Sequence, residues 1–202
     1  MPVTLSVFPV QVPSKFRGYR VGAHGKTCYP DKESGWRPRF WDSFLAPRGQ
    51  FKHHATDIVA AEGTPIRSTT AGSVMREWRG LPGAGYSEKG GWYVWIRDPD
   101  GNEHYYSHLQ KRPKVRPGQP VTAGQVIGYV GRTGNAIHTC PHLHYAITSP
   151  YKRKINPYPL LKPFYDAGGW RFEDIAPAAA GGLVLLLALG AGGWILWRQF
   201  SR

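Results

Sequence analysis

Apolar and polar residues alternate over short stretches between residues 50 and 150, which is typical of half-buried β-strands. Between two of these stretches, Asp98-Pro-Asp-Gly-Asn102 has the composition of a tight hairpin turn. Glycines between Gly80 and Gly91 indicate a mobile loop, and no long amphipathic helix is evident. The pattern predicts a mainly β, antiparallel fold whose strands include Pro65–Ser68, Trp92–Arg97, His104–Ser107 and Gln125–Val130.

The pattern changes at Ile175, after which no charged side chain occurs up to Trp197, a stretch of 23 residues. As a helix this stretch would be about 34 Å long, enough to cross a hydrocarbon core of about 30 Å. Trp170 and Trp194 lie where interfacial anchors occur, and two arginines in the tail favour a cytoplasmic C-terminus. We predict a transmembrane helix over residues 175–197, with a buried core helix as the alternative.

These patterns divide the chain into five segments. Residues 1–45 are expected to form a basic extension that packs on a β domain, which covers residues 46–165. A linker over 166–174 precedes the transmembrane helix, and a short basic tail over 198–202 follows it. The first residues do not resemble a secretory signal, because prolines interrupt their apolar stretch and no basic start precedes it, so an early strand or an extended arm is expected. The large domain would then lie across the membrane without an evident export signal.

Charge restricts the class of partner, and cysteine content restricts the type of fold. A formal net charge of +13 favours polyanions such as nucleic acid, anionic lipid or anionic cell-wall polymers. No known nucleic-acid-binding motif is present, so no specific nucleic acid is expected. The two cysteines, Cys28 and Cys140, are too few for a disulfide-scaffolded fold, and they are compatible with one bridge or with two buried thiols.

Histidines beside the strand-like stretches form the candidate site. His53 and Asp57 are spaced as H-x-x-x-D, and imidazole and carboxylate are both good zinc ligands. His142 and His144 form an H-x-H pair, which on a strand points both imidazoles to one face. A catalytic zinc needs three protein ligands and one open position, so His53, Asp57 and one histidine of the pair suffice. The other histidine and His108 then remain to orient water and stabilise charge.

The chain between about Ala46 and Ile147 resembles the M23 metallopeptidases of the lysostaphin and LytM type. The resemblance rests on five stretches that match the family's motifs in the family's order. These stretches are His53–Asp57, Ala61–Val74, Asp100–Leu109, Val115–Gly128 and Gly131–His144.

This resemblance implies a β-sandwich peptidase domain, like the duplicated hybrid motif, that hydrolyses the peptide cross-links of bacterial peptidoglycan. It implies Zn²⁺ as the cofactor, with His53, Asp57 and His144 as its ligands and with His142 and His108 as the catalytic histidines. In the family mechanism, zinc activates water and His142 takes its proton. Together with the predicted transmembrane helix, the resemblance favours a single-pass, C-terminally anchored enzyme that faces peptidoglycan, in a bacterial membrane or in a bacteriophage virion.

Some residues depart from the family's pattern. His54 lies off the ligand spacing and is expected at the rim or in a structural role. His138 and Cys140 replace small residues usual before the H-x-H, so they are expected near the site, where Cys140 could be an adventitious soft ligand. The residues expected to border the substrate groove are Tyr106, Tyr145 and the loop from Gly80 to Gly91.

Two other functions fit part of the sequence. A non-catalytic cell-wall-binding or structural membrane protein with this fold would have lost zinc ligands, and none is lost here. A basic nucleic-acid-binding membrane protein would show a salt-dependent affinity for DNA that survives chelation. The stretch Val115–Gly128 also resembles biotinyl and lipoyl carrier domains, but the corresponding turn, Gly131–Gly134, contains no lysine.

Overall fold

The structure is a computed structural model that describes residues 3–12, 22–23, 26–28 and 37–169. Short antiparallel strands dominate these residues. The first nine are β1 (Gly22–Ala23), β2 (Lys26–Thr27), β3 (Arg39–Phe40), β4 (Pro47–Arg48), β5 (Phe51–Lys52), β6 (Thr56–Val59), β7 (Pro65–Arg67), β8 (Gly72–Val74) and β9 (Glu77–Trp78). They are followed by β10 (Leu81–Pro82), β11 (Ala84–Ser87), β12 (Gly91–Arg97), β13 (Glu103–Leu109), β14 (Pro120–Val121), β15 (Val126–Tyr129), β16 (His142–Thr148), β17 (Lys154–Ile155) and the helix α1 (Pro157–Asp166).

One large antiparallel sheet organises the domain and confirms the mainly β prediction. Its strands run in the order β14-β8-β12-β13-β16-β6-β3, while β11 pairs with β12 and β17 pairs with β16. The predicted turn joins β12 to β13, and the Asp98 carboxylate accepts a hydrogen bond from the Asn102 backbone N–H at 2.8 Å. Gly101 supplies the left-handed conformation of this turn, with a φ of 83°.

The two faces of this sheet have different environments, because side chains alternate along each strand. One face packs into the core, where Ile58, Leu143 and Ile147 are fully buried. The other face carries Asp57 and His144, which lie directly opposite each other in the pairing of β6 with β16. The hydrophobic core therefore lies behind the sheet, and the candidate site lies in front of it.

The N-terminal arm, residues 3–12, covers the core next to β7. The Arg67 N–H donates to the Pro9 carbonyl at 2.7 Å, and Val10 forms an isolated antiparallel bridge with Ile66. Phe8 and Val10 are fully buried. The arm therefore contributes side chains to the core.

Helix α1 packs on the same core and was not anticipated from the sequence. The Asn156 side chain caps it by accepting the Tyr158 N–H at 2.9 Å, and Pro157 occupies its first turn. Leu161 is fully buried and joins the main core cluster. The sequence Asn156-Pro157 is typical of a helix start and could have predicted α1. The ten residues themselves, with Pro163 among them, show too little hydrophobic periodicity to predict a helix.

The stretch from Gly80 to Gly91 is not simply a loop, because it contains β10 and β11, and Ala84 pairs with Val94 of β12.

The predicted transmembrane segment, residues 175–197, lies outside the described residues. In the part of the chain that the structure describes, no helix has the length and apolar character needed to cross a membrane.

Cys28 and Cys140 form a disulfide bridge, and their Cα atoms lie 5.5 Å apart. Of the two alternatives for the cysteines, the structure therefore has the bridge and not two buried thiols. The bridge joins residues that are 112 positions apart in the chain. Cys140 is therefore not available as a thiolate ligand, which removes that alternative. The bridge fixes the backbone two residues before His142, at the start of β16.

Replacing Leu161 with alanine should lower the free energy of unfolding by about 2–5 kcal/mol, because it leaves a cavity between α1 and the sheet. The matched control is Leu81→Ala, since Leu81 is 42% exposed and should cost no more than about 0.5 kcal/mol. Urea unfolding of both variants measures the difference. Equal losses in the two variants would contradict the placement of α1.

Candidate active site

Three donor atoms on the solvent-facing side of the sheet form a nearly equilateral triangle. His53 Nε2 lies 3.1 Å from Asp57 Oδ1 and 3.1 Å from His144 Nδ1. The third side, from His144 Nδ1 to Asp57 Oδ1, is also 3.1 Å. The structure thus brings together the three residues predicted as ligands, and they form a group that could hold a metal ion.

The dimensions and the chemistry of this triangle fit a tetrahedral zinc ion. Ligands about 2.0–2.2 Å from such an ion lie about 3.3–3.6 Å from one another, slightly more than the three distances found here. Two imidazoles and one carboxylate form a set that leaves a fourth position for a reacting group. His53 and Asp57 are buried, whereas the His144 side chain keeps 24% of its surface exposed, so the triangle opens to solvent on one side.

Ser43 orients two of the three donors, and sequence reasoning missed it. Its carbonyl oxygen accepts a hydrogen bond from His53 Nδ1 at 2.8 Å, which leaves Nε2 of that ring free to bind a cation. Its hydroxyl oxygen accepts the Asp57 backbone N–H at 3.1 Å. Ser43 precedes the H-x-x-x-D stretch by ten residues, and nothing in the spacing identifies it.

Arg48 is a second residue that the sequence did not reveal. It lies in the β4–β5 hairpin, and its guanidinium Nη2 donates to Asp57 Oδ2 at 2.5 Å. The two carboxylate oxygens of Asp57 are thus divided, with Oδ1 facing the histidines and Oδ2 facing Arg48. Burial alone would raise the pKa of Asp57, but hydrogen bonds with His144 and His53 outweigh it and hold that pKa far below its usual range.

His142 and His108 lie beside the triangle as a pair, with ring centroids 4.9 Å apart. Each donates its Nδ1–H to a backbone carbonyl, from His142 to Cys140 at 2.7 Å and from His108 to Thr133 at 2.9 Å. Their Nε2 atoms are therefore the acceptors. Burial lowers the pKa of His142, and burial with the nearby charge of His142 lowers the pKa of His108 to about 3. Both rings are neutral at physiological pH.

His108 reaches the site because the backbone of β13 is irregular there. Strict alternation would place its side chain on the core face, opposite Ser107. His108 instead has a φ of 61°, its N–H donates to the Gly90 carbonyl at 2.8 Å, and the β12–β13 register shifts between Trp92 and Val94. This bulge turns the ring toward His142.

Other sequence-predicted residues lie elsewhere. His54 is exposed and its ring contacts Phe44, with centroids 6.1 Å apart, while His138 is also exposed. Tyr106 and Tyr145 do not border the groove, because both are fully buried on the core face, where their hydroxyls hydrogen-bond to Thr69. Tyr105 faces the site instead, with its ring centroid 6.2 Å from that of His144.

The lowered histidine pKa values predict a dependence of stability on pH in the metal-free chain. Between about pH 6.5 and pH 5 the unfolded state binds protons at His108 and His142 that the folded state does not, so the free energy of unfolding should fall as pH falls. Urea titrations with a chelator would show this slope, and His108→Gln should make it shallower, because only His142 then contributes. The exposed His54 provides the control, since His54→Gln should keep the slope; an unchanged slope in His108→Gln would contradict the assignment.

The five predicted residues of the candidate site lie within a match to a known protein family. The model of peptidase family M23 matches residues 51–157, just over half of the chain. An L-Ala–D-Glu endopeptidase of Bacillus subtilis is 37% identical over 131 residues, which cover 60% of this chain and 38% of that protein. The peptidoglycan DD-endopeptidase ShyC of Vibrio cholerae is 42% identical over 98 residues, which cover 48% of this chain and 20% of that protein. The chain thus spans well under half of the length of these relatives.

Solved peptidase structures also superpose on this chain. A putative glycyl-glycine endopeptidase LytM from Ruminococcus gnavus superposes with a TM-score of 0.61 at 27% identity and covers 84% of this chain and 63% of that one. The catalytic domain of lysostaphin from Staphylococcus simulans superposes with a TM-score of 0.52 at 29% identity and covers 64% of this chain and 94% of that one. The motifs, the sheet and the family match agree, and this chain belongs to peptidase family M23.

Proposed function

We propose that this protein is a zinc-dependent endopeptidase that hydrolyses peptide cross-links of bacterial peptidoglycan. The observation that carries the proposal is the triangle of His53 Nε2, Asp57 Oδ1 and His144 Nδ1, open to solvent beside two neutral histidines. The names of the relatives support the substrate class, since they include L-Ala–D-Glu, peptidoglycan DD- and glycyl-glycine endopeptidases. Because these names differ in the bond, the support that they give extends to the peptide bonds of peptidoglycan as a class.

Three residues would hold the ion and keep it in place. His53, Asp57 and His144 supply one donor atom each, and hydrogen bonds to Ser43 orient His53 and the backbone of Asp57. A zinc ion bound there would supply Lewis acidity to the attacking water and to the carbonyl of the cleaved bond. The burial of His53 and Asp57 keeps the surroundings of these donors poor in water, which strengthens their electrostatic effect.

Two residues would move protons. His142 is neutral and its Nδ1–H is bound to the Cys140 carbonyl, so its Nε2 can accept the proton of the attacking water. The same imidazolium can then donate this proton to the leaving amine. His108 lies 4.9 Å from His142 between ring centroids. Its Nε2 would stabilise the negative oxygen that develops on the carbonyl after it takes up a proton and becomes a hydrogen-bond donor.

The geometry disfavours the alternative of a non-catalytic wall-binding protein. Such a protein needs neither a complete donor triangle nor a second pair of oriented histidines. Here all five side chains converge on one sheet face, and backbone carbonyls hold three of the four rings.

Alanine substitutions should separate metal binding from proton transfer. His144→Ala should lose both the bound zinc and the release of muropeptides from purified peptidoglycan. His142→Ala should keep about one zinc per chain while its rate falls about 10²- to 10⁴-fold, because a general base contributes a factor of this size. Zinc is measured by mass spectrometry of the metal and cleavage by chromatography of released fragments. His54→Ala is the control and should keep both, and a fully active His144→Ala would contradict the proposal.

We further propose that the C-terminal segment anchors the enzyme as a single-pass membrane protein, with the peptidase domain on the peptidoglycan-facing side. The proposal is supported by the 23 uncharged residues of 175–197 and by the arginines that follow them. It applies equally to a bacterial membrane and to a bacteriophage virion that carries membrane. Peptidoglycan is the substrate in both settings.

Truncation after residue 174 tests the anchor. The full chain should sediment with membranes and resist extraction by salt and alkali, whereas the truncated chain should remain in the supernatant, because about 20 apolar residues suffice for a transmembrane helix. Substituting Lys111 with glutamine in the full chain controls for electrostatic adsorption by the basic domain. Recovery of the full chain in the salt-washed soluble fraction would contradict the proposal.

A further inference from the structure

The two carboxylate oxygens of Asp57 have different partners. Oδ1 forms one corner of the donor triangle, 3.1 Å from His53 Nε2 and 3.1 Å from His144 Nδ1. Oδ2 accepts a hydrogen bond from Arg48 Nη2 at 2.5 Å. Among the side-chain hydrogen bonds of the described residues, this is the one that reaches Oδ2. The Arg48 guanidinium therefore holds the second oxygen of Asp57 away from the triangle.

Without this hydrogen bond, Asp57 could present both oxygens to a metal ion, since a carboxylate binds metals through one oxygen or through two. The Asp57 side chain is only 9% exposed, so an unpaired Oδ2 would lie in surroundings that offer it few other donors. A cation bound at the triangle would then be its nearest positive partner. A second oxygen from Asp57 would occupy the position that a catalytic zinc site keeps open for the reacting group.

The hairpin that carries Arg48 is tied to the first residue of the triangle. The Leu45 N–H donates to the His53 carbonyl at 2.6 Å, and the His53 N–H donates to the Ala46 carbonyl at 2.9 Å. Gly49 closes the turn between β4 and β5 in the left-handed conformation, with a φ of 62°. These bonds hold Arg48 and His53 on one rigid segment, so the guanidinium keeps its place beside Asp57.

Arg48 also brings a permanent positive charge to the site. The ion pairs of Asp57 within the described part of the chain involve three histidines and this arginine, and only the guanidinium is charged at every physiological pH. A cation beside a bound divalent ion repels it, and a carboxylate that shares its charge with an arginine binds a metal less strongly. Arg48 therefore opposes metal binding, unlike Ser43, whose hydrogen bonds orient two donors without adding charge.

We propose that Arg48 is a positioning residue that restricts Asp57 to one metal-binding oxygen, Oδ1, and so keeps a coordination position open while weakening metal binding. This inference rests on the proposed function, because it requires a metal ion in the triangle. Arg48 acts through Asp57 and contacts neither of the two histidine ligands directly. Its removal is therefore expected to tighten metal binding and to slow cleavage, whereas the loss of a residue that only supports the ligands would weaken both.

The test uses Arg48→Met in the full chain, because methionine keeps an unbranched side chain and removes both the charge and the donor. The matched control is Lys52→Met, which removes one charge from the same hairpin. Lys52 is exposed and pairs with Pro47, whereas Arg48 pairs with Phe51, so the two cations point to opposite faces of the hairpin. Circular dichroism checks the fold of each variant, and since the Arg48 side chain is 53% exposed, its replacement leaves no cavity.

Three properties are measured: zinc affinity by competition with a chelator, the visible absorption of the cobalt(II)-loaded chain, and the kinetics of cleavage of a soluble cross-linked muropeptide. The absorption of cobalt(II) weakens when a fifth donor joins four, so it reports how many atoms bind the ion. The first two measurements need no substrate. They therefore examine Asp57 and Arg48 independently of cleavage.

Arg48→Met should bind zinc about three- to ten-fold more tightly, since one unit charge near the ion acts on this scale in partly exposed surroundings. Its cobalt absorption should weaken, and its kcat should fall about 10- to 100-fold with KM within about two-fold of the parent value. Lys52→Met should keep the parent values of all three properties. Arg48→Lys retains a cation with N–H donors, so it should lie closer to the parent than Arg48→Met does.

Weaker zinc binding in Arg48→Met, or an unchanged cobalt spectrum, would overturn the proposal. A higher KM with unchanged metal binding would assign Arg48 to substrate binding and would also overturn it. If the metal measurements follow the expected pattern but the parent chain cleaves no muropeptide, the proposed function fails and the role of Arg48 at the metal site remains. The two failures are thus distinguishable.

Discussion

Asp57 lies opposite His144 in the antiparallel pairing of β6 with β16, and the candidate active site depends on this register. The side-chain period of a strand is two, so a slip of one residue would turn Asp57 into the core and break the donor triangle. The alternation that places these donors in front of the sheet also places Ile58 and Leu143 behind it. Burial of the apolar side chains therefore fixes the position of the catalytic ones.

The strand register sets the position of the site residues, and backbone carbonyl groups orient three of the histidine rings. The carbonyls of Ser43, Thr133 and Cys140 each accept the Nδ1–H of one histidine, so three rings present Nε2 to the site. These carbonyls belong to three separate segments of the chain, and the bridge to Cys28 restrains one of them. Because the rings are oriented before any ligand binds, little reorganisation is needed when charge develops during the reaction.

The sequence predicted the metal-binding residues but not the residues that hydrogen-bond to them. Short motifs identified His53, Asp57 and the pair His142 and His144, because residues two apart on a strand face the same side. The resemblance to the M23 family then selected His144 as the third ligand. Ser43 and Arg48 escaped notice because their contacts arise from tertiary folding. Tyr106 and Tyr145 were expected at the groove because they lie next to the histidine motifs in the sequence. Side chains alternate along a strand, and both tyrosines are buried on the core face. Helix α1 was also missed, because ten residues carry little periodic signal.

The central claim is that two imidazoles and one carboxylate close around a single divalent ion. X-ray absorption at the zinc edge of the metal-loaded chain tests it most directly, because the method reads the donor atoms themselves. The account predicts only nitrogen and oxygen donors at about 2.0–2.2 Å, with the outer scattering of two imidazoles. A sulfur donor at about 2.3 Å, or scattering from one imidazole or none, would contradict it.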